Sequence, residues 1–310
     1  MAPELVSFGD ISTDVAVEIP RLPGPDEKLF VQMVGEYPGG MGANAAAAFA
    51  ALGGRAALVA SVGNDERGAR SLADLAERGV DTGAVVRVDG ATFWTLALLG
   101  ANGEKSLLQF ATPALYVPWA SVDWAILDGA TFAHTVADEG EGNLRLIEEA
   151  RRRGVRVSVD IEPVTLAPDL RDRLLRGVDV VFTTPPALES LGAPQDPEAG
   201  ARWLLDRGPR IAAITLGRDG CFVANNAGQT ARIAGVSVEA RDTTGAGDCF
   251  AGAFLFALCR NRSEAEAGRL ANTMAALSTT ALGSRGHLAT RSELGARAEL
   301  ADLHLDEWAA

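Results

Sequence analysis

The feature that most constrains this chain is an alternation. Short apolar runs rich in β-formers, "LVSFG" (5–9), "AALVASVG" (56–63), "ATFAHT" (130–135), "VRVSVD" (155–160), "VDVVFTT" (178–184) and "RIAAITLG" (210–217), read as buried strands. Between them lie segments with helical periodicity: "ANAAAAFAAL" (43–52), "GARSLADLAERG" (68–79), "GNLRLIEEARRRG" (142–154) and "PEAGARWLLDRG" (197–208). Several end at glycine, which tolerates the left-handed backbone just past a helix. Strands separated by helices must pair in parallel, because a parallel pair needs a long crossover. The pattern therefore predicts a doubly wound α/β fold with a mainly parallel sheet covered by helices on both faces. The 310 residues suffice for one such domain with a large core, and no repeat, linker or low-complexity stretch divides them.

Two stretches break the rhythm. "DVAVEIP" and "KLFVQMVGEY" flank the Pro/Gly-rich "RLPGPDE", and "TFWTLALLG" and "EKSLLQF" flank "ANG". Each reads as a strand pair with a turn and carries no helix, so neither fits a βαβ sheet. Together, at about 14–38 and 91–111, they predict a small antiparallel sheet projecting from the body. Its plain reading is a pair of surface hairpins, and its functional reading is a lid over a site. Phe93, Trp94 and Phe110 have three readings, covering a ligand, burying a lid–lid interface or packing on the body, with packing expected for most of them; Trp119 and Trp124 are expected to belong to a structural link back to the body.

Charge removes two partner classes. A formal net charge of −13 repels nucleic acid and anionic membrane, so neither is expected to bind. No apolar run reaches a membrane-spanning length, and the N-terminus lacks the pattern of a signal peptide. The three cysteines, Cys221, Cys249 and Cys259, have no metal-type spacing and suit a reducing cytoplasm. His134, His287 and His304 form no metal-ligand motif; His134 is expected to be a satisfied strand-end histidine rather than a ligand contact.

The chemistry is concentrated in "ARDTTGAGDCFAGAFLFAL" (240–258). Apolar residues at 246, 249, 250, 253, 254, 257 and 258 mark one stripe of a helix opening at Ala246. Asp248 falls about 200° from Ala246 at roughly 100° per residue, off that stripe and outside the expected core. It stands in the first turn, beside the N–H groups of Gly245, Ala246 and Gly247, which have no partner inside a helix. The helix dipole adds partial positive charge there, and glycine allows close approach, so the turn can hold a phosphate. Asp248 as a mere dipole complement is the plain alternative. With a phosphoryl group on the turn, Asp248 is placed to take the proton of an attacking hydroxyl, which is the geometry of phosphoryl transfer.

A second glycine cluster, "GEYPGGMGANAAAAFAALGG" (35–54), has two readings. Gly40-x-Gly42-x-x-Ala45 with Asp65 downstream fits a dinucleotide fingerprint, which keeps an NAD(P)-dependent dehydrogenase as a rival. The strand before it, however, is one of the projecting pair. The alternative is a Gly39-Gly40 hinge, with Asn44 facing a polyol and small alanines at 45–48 letting the helix pack closely. Asp14 follows the first strand, where open α/β sheets bind ligands. No P-loop occurs.

On these residues the chain resembles the ribokinase-like (PfkB) carbohydrate kinase family. "GGMGANAAAAFAALG" (39–53) with "VASVGNDERG" (59–68) is similar to its N-terminal signature, and "DTTGAGDCFAGAF" (242–254) to its C-terminal signature. "TLGRDG" (215–220) and "LANTMAALSTTALGSRG" (270–286) resemble the segment approaching ATP and the closing helix and loop. The resemblance implies a ribokinase-like body with a β lid, and transfer of the ATP γ-phosphate to a sugar-type hydroxyl with Mg²⁺. It implies Asp248 as base, with Gly245, Ala246 and Gly247 as anion hole. Asp14, Gly40 and Asn44 would bind the acceptor, and Thr215, Gly217 and Asn272 would line the ATP site. Asp242 and Thr244 fall where some relatives hold a potassium-like cation, with capping as the alternative. A homodimer through the lid is expected. The nearest rival is a nucleoside kinase of the same fold, and a further one is a non-catalytic binding module.

Three departures stand out. Met41 replaces a lysine frequent in ribokinases, and Ser12 an asparagine, which removes hydrogen-bonding options near the acceptor. The family's Asn-x-x-Glu element is represented by Thr184 and Ala187 in "TTPPALES". Magnesium handling is therefore expected to pass through Glu189 or water instead, with Glu162 an ordinary loop acid.

Overall fold

The computed structural model describes the chain except residues 101–104, 138–140, 164–165 and 309–310. The first third runs β1 (Leu5–Phe8), β2 (Ser12–Ile19), β3 (Gln32–Gly39), α1 (Met41–Ala51), β4 (Ala56–Gly63), α2 (Glu66–Glu77), β5 (Val80–Val88), β6 (Trp94–Gly100) and β7 (Lys105–Phe110). The middle runs β8 (Phe132–Val136), α3 (Gly142–Arg152), β9 (Arg156–Ile161), α4 (Pro168–Gly177), β10 (Val180–Thr183), α5 (Pro185–Ser190) and α6 (Pro197–Leu205). The last part is β11 (Ile211–Thr215), β12 (Cys221–Asn225), β13 (Thr230–Ile233), α7 (Ala246–Cys259), α8 (Glu264–Ser278) and α9 (Arg291–Gly295).

The predicted βαβ alternation builds a nine-stranded sheet in the order β13-β12-β11-β10-β9-β8-β1-β4-β5. Seven strands are parallel; β12 and β13 close one edge as antiparallel neighbours. From β1 the chain builds one way through β4 and β5, then returns to β8 and builds the other way. The strand order thus reverses between β1 and β8, and open sheets bind ligands outside the C-terminal strand ends at such a point.

Two apolar layers flank the sheet. Leu5, Leu58, Phe132, Val180 and Phe182 pack with residues of α1, α7 and α8. Val6, Phe8, Val59, Val157, Val159 and Ile214 pack on the other face with α3, α4, α5 and α6. The alanines of α1 have the purpose expected of them: Ala43, Ala45, Ala46, Ala47 and Ala48 are wholly buried. A Cβ on Gly252 of α7 would lie 2.3 Å from the Ala45 carbonyl oxygen, so the α1 and α7 backbones touch.

This corrects one reading of α7. The apolar stripe suggested a helix with an exposed side, yet Asp248 through Leu258 are all buried, because α7 packs between α1 and α8. Asp248 is 8% exposed and belongs to the interior.

The projecting strands form one four-stranded sheet, β3-β2-β6-β7. Each hairpin is antiparallel, as read from sequence, and the two join through a parallel β2–β6 pair. Strand β2 begins at Ser12, so Asp14 lies within a lid strand rather than in the loop before it. The "ANG" turn between β6 and β7 lies outside the described residues. Trp94 and Phe110 face each other in register and stack 3.8 Å apart, with Arg67 over the Trp94 ring; Phe93 is buried. Trp119 and Trp124 stack with Phe8 on the opposite layer, consistent with a packing role.

The α1–α7 contact is testable. Gly252→Ala places a methyl against backbone that cannot rotate away, and is expected to cost about 1–3 kcal/mol in urea unfolding.

Candidate active site

The first turn of α7 lies at the C-terminal edge of the sheet. Gly245 caps the helix at φ 74°, a left-handed conformation natural to glycine. A Cβ there would lie 2.4 Å from Ser284 Cβ, so the position excludes side chains twice over. The Ala246 N–H reaches the Thr243 carbonyl only at 3.4 Å. Among the described residues no hydrogen bond takes up the N–H groups of Gly245 and Gly247. Gly247 is exposed, and a Cβ on it would meet nothing within 4 Å. The turn therefore offers donors to solvent or to a ligand.

Asp248 lies just behind it. The Asn44 amide nitrogen, from the first turn of α1, donates to Asp248 Oδ2 at 2.8 Å. Burial pushes the Asp248 carboxyl well above the usual carboxylate range; the Asn44 bond opposes this, and Asp160, Asp10 and Glu162 add to it. Asp160 ends β9 and is pushed up to about 8, by burial first and then by Glu162. Asp10 follows β1, is likewise raised by burial, and accepts the Met41 N–H at 2.8 Å. Two strand ends, of β1 and β9, and one helix start thus carry acids into one neighbourhood.

Gly40 caps α1 at φ 104°, and a Cβ on it would lie 2.4 Å from the Asp10 carbonyl oxygen. Gly39 is equally closed, since a Cβ would lie 2.6 Å from both Asp14 Oδ2 and Ser12 Oγ. Asp14, Ser12 and the Gly39-Gly40 pair therefore meet at the base of the small sheet, just before the helix that carries Asn44. Thr215 and Gly217 stand together at the end of β11; Gly217 has φ 59° and open space at its Cα. Asn272 of α8 spends its amide nitrogen on the Ile233 and Ala234 carbonyls, 3.3 Å each, and so ties down the chain leaving β13.

Other expected residues have structural partners. Asp242 Oδ1 accepts from the Thr244 N–H and hydroxyl at 3.0 and 2.6 Å, and Oδ2 from the Gly283 N–H at 2.9 Å. Asp65 caps α2 through Gly68 and holds Thr92, a full set of bonds that fits a structural acid rather than a ribose ligand. His134 is buried beside Ser158 Oγ at 3.0 Å, and burial pushes its pKa down to about 4. Thr184 caps α5 and Ala187 is fully buried. Glu189 is exposed on α5, whereas Glu162, read as an ordinary loop acid, is the one electrostatically joined to Asp160 and Asp248.

Sequence reasoning missed Asp10, Asp160 and Arg285. Asp10 and Asp160 carried a signal, since both stand at the C-terminal ends of predicted strands. Arg285, 2% exposed, carried none: an arginine in the short "GSRG" stretch reads as surface loop.

Residues 2–291 match the family described as pfkB family carbohydrate kinase. The chain is 30% identical to the ATP-dependent ribose-1-phosphate kinase of Halopiger xanaduensis, over 91% of this chain and 93% of that protein. It is 29% identical to a ribokinase of Haemophilus influenzae, over 94% and 97% respectively. The structure of Arabidopsis thaliana ribokinase complexed with ribose and ATP superposes with a TM-score of 0.82 at 25% identity, covering 95% of this chain and 98% of that one.

The raised carboxyl of Asp160 makes a linkage prediction. A group whose folded pKa exceeds its unfolded value contributes stability at low pH that is lost as pH rises through the folded value. For Asp160 the window runs from its ordinary 3.8 to about 8. Asp160→Asn is expected to melt at least about 2 °C above the wild type at pH 8, with the gap closing near pH 4, in thermal scans across pH.

Proposed function

Because the chain belongs to the pfkB family of carbohydrate kinases, we propose that the α7 turn holds the migrating phosphoryl group of ATP while Asp248 deprotonates the attacking sugar hydroxyl. One observation carries this reading. An open, glycine-lined helix start with untaken N–H groups stands directly against a buried carboxyl held by Asn44. The acceptor oxygen attacks the γ-phosphorus, its proton passes to an Asp248 oxygen, and the bond to the ADP oxygen breaks. The transition state is loose, so the protein mainly positions the groups and receives charge; the N–H groups of Gly245, Ala246 and Gly247 do the second.

Asp248 suits the base. Its raised pKa makes it a better proton acceptor than an exposed carboxylate, and the Asn44 donor still stabilises its ionised form. Asp14, Gly40 and Asn44 at the base of the lid would face the acceptor, and Thr215, Gly217 and Asn272 the nucleotide. Asp10, Asp160 and Glu162 give the floor of the site a surplus of acid, which fits a nucleotide that arrives with a cation. When bound, Mg²⁺ would supply charge neutralisation at the phosphates. The donors already filling Asp242 support capping over a monovalent cation there.

The relatives' names support a sugar acceptor. Ser12 and Met41 at the lid base set this chain apart from ribokinases proper, so the sugar is to be found by assay. ADP release against a panel of sugars, sugar acids and nucleosides identifies it, and a response to nucleosides alone would overturn the sugar assignment. Asp248→Asn is expected to lower kcat by a factor of about 10² or more while leaving ATP affinity nearly unchanged; a wild-type rate would remove the base assignment.

The lid carries a third expectation. Phe30 is 103% exposed, and Met33, Leu108 and Phe110, which share one face of the small sheet, are 57, 50 and 40% exposed, an apolar surface of the sort that pairs copies. We expect a homodimer through the lid in a cytoplasmic protein. Leu108→Asp combined with Phe30→Asp should convert the dimer to a monomer in analytical ultracentrifugation.

A further inference from the structure

Arg285 lies in the loop that closes over the α7 turn, and its donors reach three elements. Nε donates to Asn44 Oδ1 at 2.9 Å on α1, one terminal nitrogen to Asp74 Oδ2 at 2.8 Å on α2, and the other to the Gly39 carbonyl at 2.6 Å at the end of β3. Asp74 alone would balance its charge. The bond to Asn44 has another consequence.

A carboxamide offers an oxygen that only accepts and a nitrogen that only donates, and turning it over exchanges them at almost no cost in shape. With the nitrogen toward Asp248, the ionised carboxylate is the matched partner. With the oxygen toward it, only the protonated carboxyl can bond. The surroundings favour the second arrangement: Asp10 beyond β1, Asp160 at the end of β9 and Glu162 after it all oppose ionisation, as does burial. Among the described residues, the Arg285 Nε–H is the donor that occupies Asn44 Oδ1. Were the amide to turn over, that N–H would face an NH₂ group and be left buried without an acceptor.

We propose that Arg285 is a positioning residue: its Nε–H pins the Asn44 oxygen and so fixes the amide with its nitrogen donating to Asp248. The catalytic meaning rests on Asp248 acting as the base, but the orientation itself is measurable in the free protein.

The test is a ¹³C NMR titration of aspartate carboxyls in the whole chain, with the Asp248 signal assigned by its loss in Asp248→Asn. Arg285→Met removes all three donors. Arg285→Gln places its amide nitrogen about where Nε stands, keeping the bond to Asn44 while losing those to Asp74 and Gly39. Arg285→Met is expected to raise the Asp248 midpoint by about one pH unit, the order set by one hydrogen bond to a charged group. Arg285→Gln is expected to stay near the wild-type midpoint, although both variants lose the charge that faces Asp74, Asp10 and Arg78 and both melt earlier. An unmoved midpoint in Arg285→Met, or an equal rise in both variants, overturns the proposal. If Arg285→Met does not fold, Arg285→Gln decides alone: a wild-type midpoint supports the pinning role, and a rise of about one unit ends it. A wild-type turnover rate in Asp248→Asn would remove the base assignment and leave the titration result standing, so the two failures are distinguishable.

Discussion

A single hydrogen bond, from Asn44 to Asp248 at 2.8 Å, joins residues 204 positions apart, and much of the architecture can be understood from what that bond requires. Two helix starts must arrive at the same sheet edge. Their helices must also approach until backbones touch, which explains the run of alanines in α1 and the glycine at 252. The sheet order supplies the first condition, since α1 leaves the lid beside β1 and α7 returns to the same face after the far edge is complete. The small residues supply the second. Neither condition is chemical, yet the placement of the carboxyl follows from both.

Much of this was legible in the residues. The alternation of "AALVASVG"-type runs with glycine-terminated helices specifies a parallel sheet because no other arrangement buries both faces of such strands. The helix-less stretches at 14–37 and 92–110 specified a second sheet for the complementary reason. The glycine turn before Asp248 was readable because unpaired amides, permissive backbone and acid occur within a few residues. What escaped has one common cause, long-range context. Helical periodicity put Asp248 on an exposed side, because the pattern cannot show that a second helix covers that side. A parallel join between β2 and β6 depends on two distant segments leaving the body in the same direction. Arg285 is invisible because its three partners lie on three elements.

The electrostatics have a simple origin as well. A chain of net charge −13 nonetheless collects Asp10, Asp160, Glu162 and Asp248 at one edge, where burial raises all four pKa values and repulsion from neighbouring acids adds to it at Asp160 and Asp248. Such a concentration costs stability at neutral pH and has no packing benefit. It is the type of local conflict that folds retain at functional sites. Arg285 is used differently: it is committed to internal acceptors, and the donors left open at the α7 turn are backbone amides.

The parallel β2–β6 pair has a consequence for how the chain matures. Its strands are about 80 residues apart, and closing such a loop is slow compared with forming either hairpin. Both strands nevertheless leave the ribosome, with β1 and α1, well before the segment at 242–254 is made. A nascent polypeptide can therefore assemble the small sheet and the start of α1, with Asn44, while Asp248 has yet to be synthesised. Competence for chemistry arrives only when the last helices dock.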